Sequence, residues 1–207
     1  MRIGHWSKTF ILACFFSGLA ASAQTGAQTD AAASLMGVFS GASRGNGVVQ
    51  SPSDAAGLLL ELRHISSPLS GYELSYAYNR ANQTYKQDCA TVSNCTSSSP
   101  AAVSANAHQI SGAWLASVHI VNIRPFVLAG LGLQFNNPAA GQSKTAGASK
   151  PVVFYGLGGD WGLGRRAGLR FQYRKNVYKA PGLTSLYSST GSFTSTTEIA
   201  AGYYFRF

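Results

Sequence analysis

Charged residues make up only 11% of this 207-residue chain, so their positions carry information. Eight fall at alternate positions within apolar stretches: Glu61, Arg63, Glu73, Asp160, Arg170, Arg174, Glu198 and Arg206. Four acids and four arginines in one phase sum to zero. Side chains of a strand alternate between its two faces, so such a set shares one surface. An unpaired charge enclosed by apolar walls costs several kcal/mol, so an enclosed set has to pair internally. The pattern predicts a lattice of salt bridges. An ion path or a proton-sensitive gate is the alternative. His119 falls in the same phase, either tuning the lattice with pH or serving as a satisfied polar interior residue.

Other reactive residue types form weaker patterns. His64-Ile65-Ser66, with Glu73 a few residues on, is the one His-x-Ser beyond the first 23 residues. A hydrolase would need the three groups together on one surface. Glu73 lies in the opposite phase, so the set is split and no catalytic residues are assigned. Cys89 and Cys95 sit in a polar stretch. A disulfide is the natural reading in an exported chain, and a metal pair lacks a neighbouring His. No metal or cofactor is indicated.

The elements that must position these residues are strands. The first residues, MRIGHWSKTFILACFFSGLAASAQ, give a basic start, an apolar core and small residues at Ala21-Ser22-Ala23. This predicts a secretory signal peptide over 1–23, with a lipid-modified Cys14 as the alternative. Residues 24–33 read as a disordered lead. From Ser34 to Phe207, eight alternating stretches follow: 34–43, 55–65, 71–85, 105–120, 123–135, 151–163, 167–179 and 192–207. The phase of the first is ambiguous. The fifth is apolar on both faces, with its glycines placed inward. Long and short connections alternate, starting and ending long. None of these stretches approaches the ~20 uninterrupted apolar residues of a membrane helix, but ~9–11 suffice for a tilted transmembrane strand.

The formal charge is +9, falling to +7 when Arg2 and Lys8 leave with the signal. Without a basic run, and with an export signal, nucleic acid is not an expected partner. Aromatics recur at strand ends, as interfacial girdles require: Tyr72, Trp161, Phe205 and Phe207 on the short-turn side, Tyr85 and Phe193 on the other.

The chain resembles the small outer-membrane barrels of Gram-negative bacteria, OmpA/OmpX-like. The resemblance rests on the signal peptide, YGLGGDWGL at 155–163, RPFVLAGLGL at 124–133 and the terminal AAGYYFRF. It implies an all-β, eight-stranded antiparallel up-and-down transmembrane barrel, with four long external loops and three short periplasmic turns, in the outer membrane. It also implies that Tyr203, Phe205 and Phe207 form a signal read by the barrel assembly machinery. A secreted lipocalin-like barrel would bury the same stripe inward. The loop asymmetry, the aromatic ends and the terminal strand favour the membrane barrel. The expected role is structural or surface-interacting, with a small pore or conduit and a lipid-modifying enzyme as alternatives. Expected partners are membrane lipid, lipopolysaccharide through the loop cations Arg44, Lys86, Lys144, Lys150 and Lys179, and an unidentified extracellular ligand.

Overall fold

The computed structural model describes residues 27–67, 69–90, 99–142 and 144–207. The segment 1–23 expected to be a signal peptide and Cys95 lie outside the described residues. The described chain contains ten strands and no helix: β1 (Gln28–Ser40), β2 (Ser43–Gly45), β3 (Val48–Pro52), β4 (Ala55–Ser67), β5 (Ser70–Gln87), β6 (Ala101–Ser117), β7 (Ile123–Pro138), β8 (Ala148–Gly162), β9 (Ala167–Lys179) and β10 (Phe193–Arg206). Eight of them close a wall in the order β5-β4-β1-β10-β9-β8-β7-β6, and β6 returns to β5. Every wall pairing is antiparallel. Closure is made by β1 against β10, from Asp30 opposite Arg206 to Ser40 opposite Thr196. A closed wall leaves no row of unpaired backbone groups, which a lipid environment requires.

Alternation sorts the side chains as the sequence predicts. Leu58, Leu60, Leu62, Leu74, Ile110, Val127, Leu131, Val153, Leu157 and Ile199 stand exposed on the outside. The opposite phase is buried and largely polar, including Ser75, Gln109, Ser111, Gln134, Gln172 and Asn176. This is apolar outside and polar inside, the reverse of a water-soluble barrel, and it excludes the lipocalin-like alternative. Tyr72, Trp114, Trp161, Tyr203 and Phe205 are exposed near the short-turn end, as a girdle. The glycines of β7 face inward: a Cβ on Gly130 would lie 2.8 Å from the Phe154 ring, which occupies that space instead.

Several expectations change. The disordered lead is overturned over its second half, because β1 begins at Gln28 and pairs with both neighbours from there. The connection 44–54 is no irregular loop. It holds the β2–β3 hairpin, whose two-residue turn Asn46-Gly47 has φ of 51° and 71°. Positive φ at both positions is what a hairpin turn matching the strand twist requires. β3 then extends the sheet along the upper part of β5. Tyr85 is no girdle residue: it is buried, since it shares the phase of inward Glu73. His119 does not join the charge lattice: β6 ends at Ser117, and His119 is exposed in the following turn, at the mouth of the bore.

Candidate functional site

The site is the barrel interior, and strand register builds it. Asp160 lies opposite Arg124 on one side and Arg170 on the other. Arg63 lies opposite Glu73 and Asp30. Glu198 lies opposite Arg174. Directly opposed residues on one face of a sheet are in reach of each other, so the register itself neutralises these charges.

At the short-turn end the side chains form a continuous lattice. Arg124 donates to Asp30 at 2.7 Å and to Asp160 at 2.6 Å. Arg170 donates to the other oxygen of Asp30 at 2.6 Å and to Asp160 at 2.7 Å. Arg63 donates through Nε to Glu73 at 3.1 Å and also contacts it through Nη2. Arg63 reaches Asp160 at 3.5 Å. Glu61 sits between Arg63 at 3.7 Å and Arg170 at 3.6 Å. The Arg63 guanidinium also lies 4.0 Å above the Phe126 ring, whose face attracts a cation. These residues are buried, and together they span the lumen from β1 to β8.

One layer higher, the charge thins out. Arg174 contacts Glu198 at 3.5 Å and donates to Ser75 and Ser111 at 3.3 and 3.2 Å. Glu198 accepts from Asn176 at 2.7 Å. Above it charge gives way to amides and hydroxyls: Gln83, Gln109, Gln134, Asn136 and Thr196, with Glu198, surround a cavity of about 30 Å³. That is room for one or two ordered waters. The top is closed by Val48, Tyr85, Val103, Ala105 and Leu183. Leu183 comes from the connection 180–192, which folds inward there. Tyr85 fastens it, donating to the Pro181 carbonyl at 2.9 Å and accepting from the Leu183 amide at 3.1 Å. Tyr85 lies fifteen residues from the start of β5, about 50 Å along the strand, beyond a hydrocarbon band of about 25 Å even allowing for tilt. Burial pushes its hydroxyl up to about 12, partly offset by the Leu183 amide.

Seven of the eight charges read from the sequence are thus brought together: Glu61, Arg63, Glu73, Asp160, Arg170, Arg174 and Glu198. Arg206 is not. It stands half-buried at the rim, and among the described residues no carboxylate lies within 4.0 Å of it; its nearest ring is Tyr204, at 5.8 Å. Two members were missed. Asp30 falls in the segment expected to be a disordered lead, and Arg124 shares the inward phase of Gly130 and Gly132 on β7, a signal present in the sequence. Tyr203, Phe205 and Phe207 are exposed on the outside. Cys89 is disulfide-bonded. His64 hydrogen-bonds Thr29 at 2.9 Å and stacks on Tyr72, while Ser66 bonds the Ser70 carbonyl and Glu73 is inside, so no triad is assembled.

A closed eight-stranded wall with an apolar belt, a polar filled interior and long connections at one end defines a small outer-membrane β-barrel, and places the chain in a bacterial outer membrane. The chain is similar in fold to the outer membrane protein OprG from Pseudomonas aeruginosa. That likeness has a TM-score of 0.62 at 11% identity and covers 87% of this chain and 95% of that one. Similarity also extends to Neisserial surface protein A, with a TM-score of 0.46 at 15% identity, covering 90% and 99% of the two chains. For Ail of Yersinia pestis the TM-score is 0.47 at 15% identity, covering 86% and 97%. No family model and no curated protein sequence matches the chain.

Proposed function

We propose that this chain is a non-enzymatic outer-membrane barrel with a structural or surface-interacting role, its lumen plugged rather than conducting. The observation that carries the reading is the lattice from Asp30 to Asp160. Four buried arginines and five buried acids fill the bore where an open channel would need water. An eight-stranded barrel is only wide enough for its interior to be filled by side chains. Interaction with other molecules then falls to the outer surfaces. Residues 1–23 act as the signal peptide, and Tyr203, Phe205 and Phe207 offer the assembly machinery an accessible aromatic edge. Cys89 and Cys95 staple the loop that holds them. The cations expected in loops lie at strand ends, Arg44 in β2, Lys86 in β5, Lys150 in β8 and Lys179 in β9, with Lys144 alone in a connection; from the long-connection end, where Arg44 already leans on Asp88 at 3.9 Å, they meet lipopolysaccharide phosphates or an extracellular ligand.

Reconstitution in planar bilayers tests the plug. The expected result is no stable unitary conductance from the wild-type barrel. Discrete steps that vanish in Arg170→Ala or Glu198→Gln would replace this reading with a conduit. Incubation with labelled lipid A tests the absence of chemistry, and turnover lost in His64→Ala would contradict it.

A further inference from the structure

Below the lattice, at the short-turn end, the lumen widens into a recess of about 440 Å³. Two turns and the end of β10 wall it. The turns 118–122 and 163–166 are tied together by the Gly162 amide donating to the Asn122 carbonyl at 2.8 Å. β10 is held to the second turn by the Arg206 amide donating to the Arg166 carbonyl at 2.7 Å. Arg124, Arg165 and Arg206 line the recess, with His119 and Tyr204. Its one acid is Asp160, whose oxygens are already shared by Arg124 and Arg170. Arg124 is only 2% exposed, and its Nη1 has no hydrogen-bond partner. The Nε of Arg206 has none either. Val121, at the lip, holds φ of 54°, a conformation that β-branched residues rarely adopt. Such strain clusters where a site has to be shaped.

The geometry points to a phosphate-binding site at the periplasmic mouth, in which Arg124, Arg165 and Arg206 converge on one phosphoryl group. A guanidinium presents a planar fork of N–H donors that matches phosphate oxygens, and such charge-assisted bonds are among the strongest available. Three guanidiniums beside a carboxylate that is already engaged leave donors and positive charge to spare. The recess opens at the short-turn end beside the exposed girdle residue Trp161, with Leu163 and Val121 exposed at its edge. The phosphoryl group therefore belongs either to a phospholipid headgroup entering from the side or to free phosphate entering from the periplasm. The inference needs the barrel and its orientation, and it is independent of whether the lumen conducts.

Nitrogen-labelled barrel refolded into phosphatidylcholine nanodiscs provides the test. Titration with inorganic phosphate at fixed ionic strength near neutral pH is expected to give saturable amide shifts in 119–124, 162–166 and 204–206. In the Arg165→Ala/Arg206→Ala double variant the affinity should fall by about tenfold or more, the loss expected when two charge-assisted partners are removed. Arg165 lies in an exposed turn, so the single Arg165→Ala variant serves if the double one loses its heat-modifiable gel migration. Phosphatidylglycerol nanodiscs without added phosphate distinguish the source. The same amides shifted there, with phosphate then binding more weakly, assign the site to lipid; no shift there assigns it to free phosphate. Shifts that never saturate, that persist unchanged in the variants, or that fall only on the long-loop lysines would overturn the site.

Discussion

The lower and upper halves of the lumen are made by the same eight strands, yet they are filled by opposite means. The lower half holds Asp30, Glu61, Glu73 and Asp160 against Arg63, Arg124 and Arg170, with Arg124 and Arg170 bonded to Asp30 and Asp160 at 2.6 to 2.7 Å. The upper half has one looser ion pair at its base, Arg174 with Glu198 at 3.5 Å, then amides, hydroxyls and a small cavity, and is closed by an apolar cap. Amides accept several alternative partners and tolerate water. Ion pairs in a dry space do not, because each charge must keep its counterpart. The lower half therefore dictates register, since a slip of one residue would turn every lattice side chain toward lipid. The upper half leaves room for small rearrangements beneath the loops. Rigidity near the periplasm and adaptability near the outside follow from the kind of polar group each half uses.

Breaking the lattice should show the contrast at full size. Arg170→Ala leaves Asp30, Asp160 and Glu61 short of a partner and should cost about 3–5 kcal/mol, as loss of one member of a buried pair does. Urea titration in lipid vesicles, read by the gel migration of unheated samples, measures it; a cost below 1 kcal/mol would mean that water enters the lattice. Asp30→Asn keeps the shape of the side chain but removes a charge shared by Arg124 and Arg170. It should cost about 2–3 kcal/mol, the range for charged hydrogen bonds in a buried site. Glu198→Gln, one layer up, retains an acceptor for Asn176 and disturbs a looser contact with Arg174, so about 1–2 kcal/mol is expected. If Glu198→Gln proved as damaging as Arg170→Ala, the two halves would not differ in kind.

The same division shows in what the sequence made legible. Strand period and connection lengths were plain, because every wall strand must alternate and every short turn is compressed. Phase alone identified seven lattice residues, since a charge facing lipid would be intolerable. Asp30 was hidden because Ala31, Ala32 and Ala33 beside it give no apolar stripe, so the strand could not be seen starting there. Its partner strands create its position. Arg124 was hidden by apolar residues on both faces of β7, where inward Phe126 lies against the Arg63 guanidinium and Leu128 is buried beside Phe154 in the apolar part of the interior. Arg206 was legible in phase but not in depth: alternation gives the face of a strand and not how far a side chain stands from the end of the bore. The Asn46-Gly47 hairpin carried a strong turn signal that its surrounding polar residues masked. The inward fold of 180–192 had no local signal, because Leu183 and Leu186 are scattered among small and polar residues with no period, and Tyr85 and Val103 come from strands far away in sequence.

That inward fold offers the smallest effect and the finest test of the upper half. Tyr85→Phe removes the hydroxyl that joins Pro181 and Leu183 to the wall, leaving the buried Leu183 amide unpaired. The cost should be about 1 kcal/mol, and local, because the cap rests on the barrel and the barrel does not rest on the cap. It should appear as faster amide exchange in 180–192 with unchanged urea stability of the wall. The hydroxyl also gives the cap a pH signature. With the cap open, Tyr85 ionises near its ordinary value of about 10; with the cap closed, burial holds it at about 12. Between these values the open form has already lost a proton that the closed form keeps. Closure is therefore fully stable below about pH 10 and weakens as pH rises toward 12. Exchange in 180–192 should accelerate over that window, beyond its intrinsic base-catalysed rise, in wild type and not in Tyr85→Phe. An equal excess in both proteins would place the pH dependence elsewhere and separate the cap from Tyr85.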